Sequence, residues 1–271
     1  MHIQSLLLGA LASMATAQTF TECDPTKKSC PNNPAMKEAL ETDFKKGVDA
    51  TAGWKTTAGK INYGKDGAEF TISKKGESPT IQSNTYLFFG RIEVKMKAAA
   101  GKGIISSIVL ESDDLDEVDW EFLGTDTTHV QMNYFGKGNT TVYDRMLEGS
   151  VANPQQTFHT YALDWKPEAL TWEIDGVPVR TLKYADAVGG KNYPQTPSNV
   201  RIGIWAGGDP DNKEGVIQWA GGKTDYSKAP FTMVVESVKI TNYNPGTEYK
   251  WKDQSGSWQS IEVLGKGDKS G

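Results

Sequence analysis

Residues 113–124 read DDLDEVDWEFLG, and the second half of this stretch sets the strongest constraint on the fold. From Glu117 to Phe122, acidic and large apolar side chains alternate without a break. Successive side chains of a strand point to opposite faces. Glu117, Asp119 and Glu121 therefore share one face, while Val118, Trp120 and Phe122 share the other. Such a segment belongs in a sheet with one face against a core and the other open. Asp113, Asp114 and Asp116 precede the strict alternation and read as a solvated loop entering the strand.

Much of the chain repeats the strand signal. RIEVKMK (91–97) sets Ile92, Val94 and Met96 between charged neighbours, as in a half-buried strand. GIISSIVL (103–110) is apolar or small throughout, as in a central strand. LTWEIDGVPVRTL (170–182) places Asp175-Gly176 between two strand-like runs, which predicts a two-residue type I′ hairpin. VRIGIW (200–205) and FTMVVESVKI (231–240) add two more strands. Short strands separated by turn residues predict an all-β sandwich or jelly roll. One helix is expected, over NPAMKEALETDFKK (33–46), with Asn33 as cap, Pro34 in the first turn, and Met36, Leu40 and Phe44 on one face. No composition shift or internal repeat marks a second domain, so residues 18–264 read as one domain and 265–271 as a disordered tail. A net charge of -5 and the lack of a basic stripe argue against a nucleic-acid partner.

The first residues suggest a secretory route. An apolar run from Leu6 to Leu11 precedes Ala15-Thr16-Ala17, which reads as a signal peptide cut after Ala17. The two cysteines, Cys23 and Cys30, then fall just beyond the cut and are expected to pair. Closing so short a loop is worth roughly 2.5 kcal/mol. Asn139-Thr140-Thr141 is a glycosylation sequon.

The acidic face of the 117–121 segment suggests chemistry. Cα atoms four residues apart in a strand lie roughly 13 Å apart. Each Glu carboxylate reaches about 4 Å from its Cα, so two that lean together come to roughly 5 Å. Glycosidases that retain configuration need carboxyl groups about 5–5.5 Å apart, and inverting ones about 6.5–9.5 Å. The spacing permits a double displacement in which one Glu attacks and the other gives and then takes a proton. Three carboxylates this close cannot all ionise cheaply, so at least one should hold its proton near neutral pH. The bland alternative is an acidic strand facing water. A calcium loop of the EF-hand type fails, because Val118 stands where glycine is required. No cofactor or metal is expected.

At DEVDWEFLG the chain resembles glycoside hydrolase family sixteen, whose signature is E-[IV]-D-x-E. FFGRIEVKMKAAAGKGIISSIVLESDDLDEVDWEFLG, HVQMNYFGKGN and FHTYALDWKPEALTWEIDGVPV are similar to that family's successive strands. SDDLDEVDWEFLG, NYFGKGNTTVYDR and the later WAGG most resemble the fungal Crh-type cell-wall transglycosylases. The resemblance covers roughly residues 20–245. It implies a β-jelly roll of two antiparallel sheets with a carbohydrate cleft on the concave face. It also implies Glu117 as nucleophile, Asp119 as assisting acid and Glu121 as general acid/base. The implied reaction cleaves chitin and transfers the fragment to β-1,3-glucan or chitin. A secreted wall enzyme that works as a monomer is expected. Crh-type proteins often carry a Ser/Thr-rich stalk and a lipid-anchor signal, and neither is visible in this sequence.

Sugar rings present apolar faces, so aromatic platforms are expected beside the carboxylates. Trp205 and Trp219 match the family and sit beside Gly-Gly pairs that open a loop, with Tyr226 close behind. Trp120, Trp165 and Trp172 are assigned to the core or an outer face. Alternation in HVQMNYFGKG puts Gln131, Asn133 and Phe135 on one face, where Gln131 and Asn133 could bind sugar hydroxyls, and buries Tyr134. Tyr143 and Arg145 have two readings, cleft lining or surface turn. His159 reads as structural. A β-glucan endohydrolase shares the same intermediate and differs only in what resolves it. A jelly-roll lectin would have no use for three converging carboxylates.

Overall fold

The computed structural model describes residues 20–265. The proposed signal segment and residues 266–271 of the expected tail lie outside them. Two large antiparallel sheets make up the molecule, as the alternating segments require. One sheet has seven strands. Its spatial order is Leu147–Ser150, His129–Phe135, Glu117–Leu123, Ile104–Ser112, Ser198–Ala206, Thr80–Ser83 and Trp54–Ala58. The acidic strand thus sits near the middle of one half of this sheet. The second sheet is centred on Gly90–Lys97 and Phe231–Asn242, with His159–Trp165, Ala169–Ile174 and Val177–Lys183 on one side. A small third sheet joins Asn33–Pro34, Glu248–Trp251 and Ile261–Leu264. The last two of these strands, EYKW and IEVL, are only four residues long, too short a run for the sequence reading to pick out.

Side-chain parity decides what each strand buries. Along Gly90–Lys97 burial alternates at every residue, as read from RIEVKMK. Ile104–Ser112 is buried along its whole length, as befits a central strand covered on both faces. Trp120, Trp165 and Trp172 are all fully buried in the core. Trp120 and Phe122 reach Tyr161 of the opposite sheet edge-on, with ring centroids 5.5 and 4.6 Å apart. Truncating a tryptophan in such a setting costs about 3–5 kcal/mol. Asp175 and Gly176 have φ of 51° and 79°, the two positive values that a type I′ turn demands.

The expected helix over residues 33–46 does not form. Its residues instead give the strands Asn33–Pro34 and Ala39–Asp43 and enter a 3-10 segment at Phe44–Ala50. Ala39–Asp43 pairs with Phe231–Asn242, so ladder bonds from the second sheet outweigh the helical spacing of Met36, Leu40 and Phe44. Among the described residues the α-helix that does form, Glu214–Trp219, is short.

The reading of Asp113, Asp114 and Asp116 as a solvated loop is also corrected. Asp114 and Asp116 are 2% and 0% exposed. Thr196 Oγ1 lies 2.8 Å from a carboxylate oxygen of each and 2.8 Å from Ser112 Oγ. Asp116 also accepts from the backbone N–H groups of Gln195 and Lys137. Asp113 accepts from Asn33 Nδ2 and the Tyr86 hydroxyl. These acids clamp the turn that delivers the chain into the acidic strand.

Candidate active site

Strand register builds the site. Gln131 stands opposite Glu121, Asn133 opposite Asp119, and Phe135 opposite Glu117. On the other flank, Glu111 faces Glu117, Val109 faces Asp119, and Ser107 faces Glu121. Directly opposed residues share a face, so these side chains form one surface. Tyr134 is turned to the core, as the alternation predicts. From the second sheet, Trp172 Nε1 donates to the Asp119 carbonyl at 3.1 Å, which fixes the strand beneath its carboxylates.

The three carboxyl groups are not equivalent. Burial and the neighbouring Glu117 and Glu121 charges hold Asp119 well above the usual carboxylate range. Asp119 is hydrogen-bonded to Glu117, the protonated partner donating. Burial pushes Glu117 up to about 7, against the Asp119 hydrogen bond and the Arg201 charge. Burial, then the Glu117 charge, pushes Glu121 up to about 8. Of the three, Glu117 is therefore the easiest to ionise, while Asp119 and Glu121 hold protons near neutral pH.

Two of the predicted aromatic residues, Trp205 and Trp219, gather at the Glu121 end. Trp205 and Trp219 are half-buried and stack with centroids 6.0 Å apart and planes at 28°. Each opens a copy of the same four residues, Trp-Ala-Gly-Gly, at 205–208 and 219–222. Those glycines do not merely open a loop. A Cβ on Gly208 would come within 2.3 Å of the Gly222 carbonyl oxygen. The backbones therefore touch where only glycine fits, and this contact brings the indoles together. Trp219 Nε1 donates to Gln131 Oε1 at 2.8 Å, tying the platform to the polar face. Tyr226 donates its hydroxyl to Asp209 at 3.2 Å, next to the first Trp-Ala-Gly-Gly segment. Tyr143 is 74% exposed, with its ring 6.2 Å from Phe135. Arg145 is buried over Phe135 at 5.4 Å and donates to the Asn139 carbonyl at 2.9 Å. Both therefore border the site at the Glu117 end through Phe135. His159 bonds Asp175 and the Ala152 carbonyl, away from the carboxylates.

The model of glycosyl hydrolases family 16 matches residues 48–221. The chain belongs to glycosyl hydrolase family 16. It is 56% identical over 261 residues to Crh-like protein 1 of Aspergillus fumigatus, covering 96% of this chain and 71% of that protein. Crh-like protein 5 of the same organism is also 56% identical, over 97% of this chain and 67% of its own length. Among solved structures, a Crh5 transglycosylase in complex with NAG matches with a TM-score of 0.87 and 57% identity, over 89% of this chain and 100% of that one. A Bacillus licheniformis β-glucanase shares the fold, with a TM-score of 0.63 at 24% identity over 77% of this chain and 100% of that one. The chain is a carbohydrate-active enzyme of the jelly-roll type.

Two charged residues beside the family 16 carboxylates were not picked out from sequence. Glu111 is fully buried and paired with Arg201 across the sheet. Burial pushes Glu111 up to about 9, although the adjoining guanidinium favours its ionised form. Strand parity counted back from Glu117 could have found Glu111. The lone cation in the apolar run VRIGIW was the signal for Arg201.

Raised carboxyl pKa values predict how stability varies with pH. Glu111, Asp114, Glu117 and Glu121 rise from 4.5 or 3.8 to between about 7 and about 9. Within that span the folded chain binds more protons than the unfolded one, so stability falls as pH rises. Groups held low, such as Asp24, Asp126 and Asp175, act below that span. Melting temperature measured from pH 5 to pH 9 should decline steadily. A flat or rising profile would contradict the protonated state of this cluster.

Proposed function

We propose that the protein is a secreted retaining transglycosylase of the fungal cell wall that cleaves chitin and passes the fragment to β-1,3-glucan or chitin. The observation that carries this reading is the face shared by Glu117, Asp119 and Glu121, in register with Gln131 and Asn133. Kinship with Crh-like proteins, and with a Crh5 transglycosylase whose structure holds NAG, supports the choice of substrate. The Cys23–Cys30 disulfide, with Cα atoms 5.9 Å apart, suits an extracellular setting. Residues 1–17 act as the signal peptide and 18–264 as one catalytic domain. The protein works as a monomer, and Asn139 is glycosylated.

Glu117, the most readily ionised of the three, attacks the anomeric carbon from below the sugar ring. Glu121, still protonated, gives its proton to the departing glycosidic oxygen. Asp119 keeps its own proton and steadies the Glu117 carboxylate through their hydrogen bond. A glycosyl-enzyme ester results. Glu121, now a base, draws the proton from an acceptor hydroxyl, which displaces Glu117 and restores the starting state. Gln131 and Asn133 hold sugar hydroxyls. The stacked Trp205 and Trp219 carry apolar ring faces of the acceptor, which favours a sugar hydroxyl over water.

The test mixes a chito-oligosaccharide with a labelled β-1,3-glucan oligosaccharide and analyses the products by mass spectrometry. Labelled hybrid products are expected. Shortened donor alone would mean a hydrolase, and no change in either sugar would refute both enzyme readings.

A further inference from the structure

Trp205 and Trp219 stand on pieces of chain that are held differently. Trp205 lies inside the strand Ser198–Ala206, opposite Ile105, where ladder bonds fix it. Trp219 ends the helix Glu214–Trp219, inside a loop that leaves the first sheet after Ala206 and enters the second at Phe231. The two limbs of this loop meet at a neck. The Thr224 N–H donates to the Gly208 carbonyl at 2.9 Å, and the Tyr226 hydroxyl donates to Asp209 Oδ2 at 3.2 Å. Compact surface loops whose ends meet in this way are frequently functional.

Asp209 is the hub of the neck. It directly follows the first Trp-Ala-Gly-Gly copy, whereas Lys223 follows the second. The residue is buried, and its Oδ1 accepts from the Asp211 N–H at 3.2 Å while Oδ2 takes the Tyr226 hydroxyl. Lys75, on the connection between Gly67–Ile72 and Thr80–Ser83, reaches Asp211 at 2.8 Å and Asp209 at 3.6 Å. That ammonium is half exposed, and an exposed ion pair contributes little. The hydroxyl bond is made to a buried carboxylate, which is the stronger kind. Trp219 lies just before Gly222, whose carbonyl packs against Gly208 inside the neck. Opening the neck releases that contact and lets Trp219 leave Trp205, which its own strand holds in place.

A glycosyl-enzyme is resolved by a sugar hydroxyl or by water. In either case the bond from the anomeric carbon to Glu117 breaks as the incoming oxygen bonds, and Glu121 takes its proton. Only the sugar needs the aromatic platform. We propose that Asp209 is a positioning residue for the acceptor: through the Tyr226 hydroxyl it closes the neck, holds Trp219 against Trp205, and so sets the share of glycosyl-enzyme captured by sugar rather than water. This role rests on the transglycosylase reading above. It also gives the Tyr226 hydroxyl a task in the loop.

The test pairs two measurements. First-turnover phenol release from an aryl chito-oligoside reports cleavage alone. Titration with a labelled β-1,3-glucan oligosaccharide reports the acceptor KM and the ratio of hybrid to hydrolysed product. Asp209→Ala should raise the acceptor KM roughly 5- to 10-fold and shift products toward hydrolysis, with phenol release unchanged. Asp209→Asn should restore most of the loss, because its amide oxygen still accepts from Tyr226. Tyr226→Phe keeps the ring and should raise the acceptor KM by itself, which tests the bond even where Asp209→Ala folds poorly. Combined with Asp209→Ala it should add nothing further, since both act through one bond. An unchanged acceptor KM in Tyr226→Phe, an equal fall in cleavage and transfer, an Asp209→Asn variant as poor as Asp209→Ala, or additive losses in the pair overturns the proposal. Hybrid products from the unsubstituted protein with the same product ratio in Asp209→Ala also overturn it and leave the enzymatic reading standing. No hybrid products from the unsubstituted protein refute that reading, and the positioning role with it.

Discussion

Glu117→Gln should lower turnover by at least about 10⁴-fold while leaving oligosaccharide binding close to normal. The amide is nearly the same size as the carboxylate, and it can still take a hydrogen bond from Asp119 through its oxygen. What it cannot do is form the glycosyl ester, so cleavage and transfer fail together. Buried carboxyl groups crowd this strand, and removing one charge relieves Asp119 and Glu121. The variant should therefore melt no lower than the unsubstituted protein. Kinetics on a labelled chito-oligosaccharide together with a thermal melt check both statements. Full activity would move the nucleophile elsewhere, and loss of activity with a collapsed melt would mean that Glu117 serves the fold instead.

The second large effect concerns Glu121. Glu121→Gln should slow natural donors by about 10²–10⁴-fold, the usual worth of a positioned acid or base. The deficit should depend on the leaving group. A donor with an acidic phenol as leaving group needs no proton, so its first step should proceed at near-normal rate. The second step still needs a base to activate the acceptor, so the glycosyl-enzyme should accumulate. Intact-protein mass spectrometry would then show the added sugar mass on the variant. An equal loss with both donor types would remove Glu121 from the role of acid.

Much of this site could be read from the chain because period-two alternation survives packing. Glu117, Asp119 and Glu121 were placed on one face by parity, and Gln131, Asn133 and Phe135 fall opposite them in the ladder. The hairpin at Asp175-Gly176 was equally legible, since few dipeptides accept two positive φ values. Failures arose where distant partners decide. Nothing local in ALETD shows that it will pair with Phe231–Asn242, so the helical spacing of Met36, Leu40 and Phe44 misleads. Asp114 and Asp116 look solvated until Thr196, some eighty residues away, is brought against them. The pairing of Glu111 with Arg201 was hidden in the same way.

The twin Trp-Ala-Gly-Gly segments divide labour within the cleft. The carboxylates stand on a strand in the body of a seven-stranded sheet, whereas Trp219 ends a short helix that only leans over it. The glycine contact, the Gly103 N–H bond to the Ala220 carbonyl and the indole bond to Gln131 hold the two parts together. On the reading proposed above, Trp219 and the bond-making carboxylates thus reside in separate pieces of chain. A change in the helix segment can therefore alter what Trp219 meets without moving the strand that carries the carboxylates.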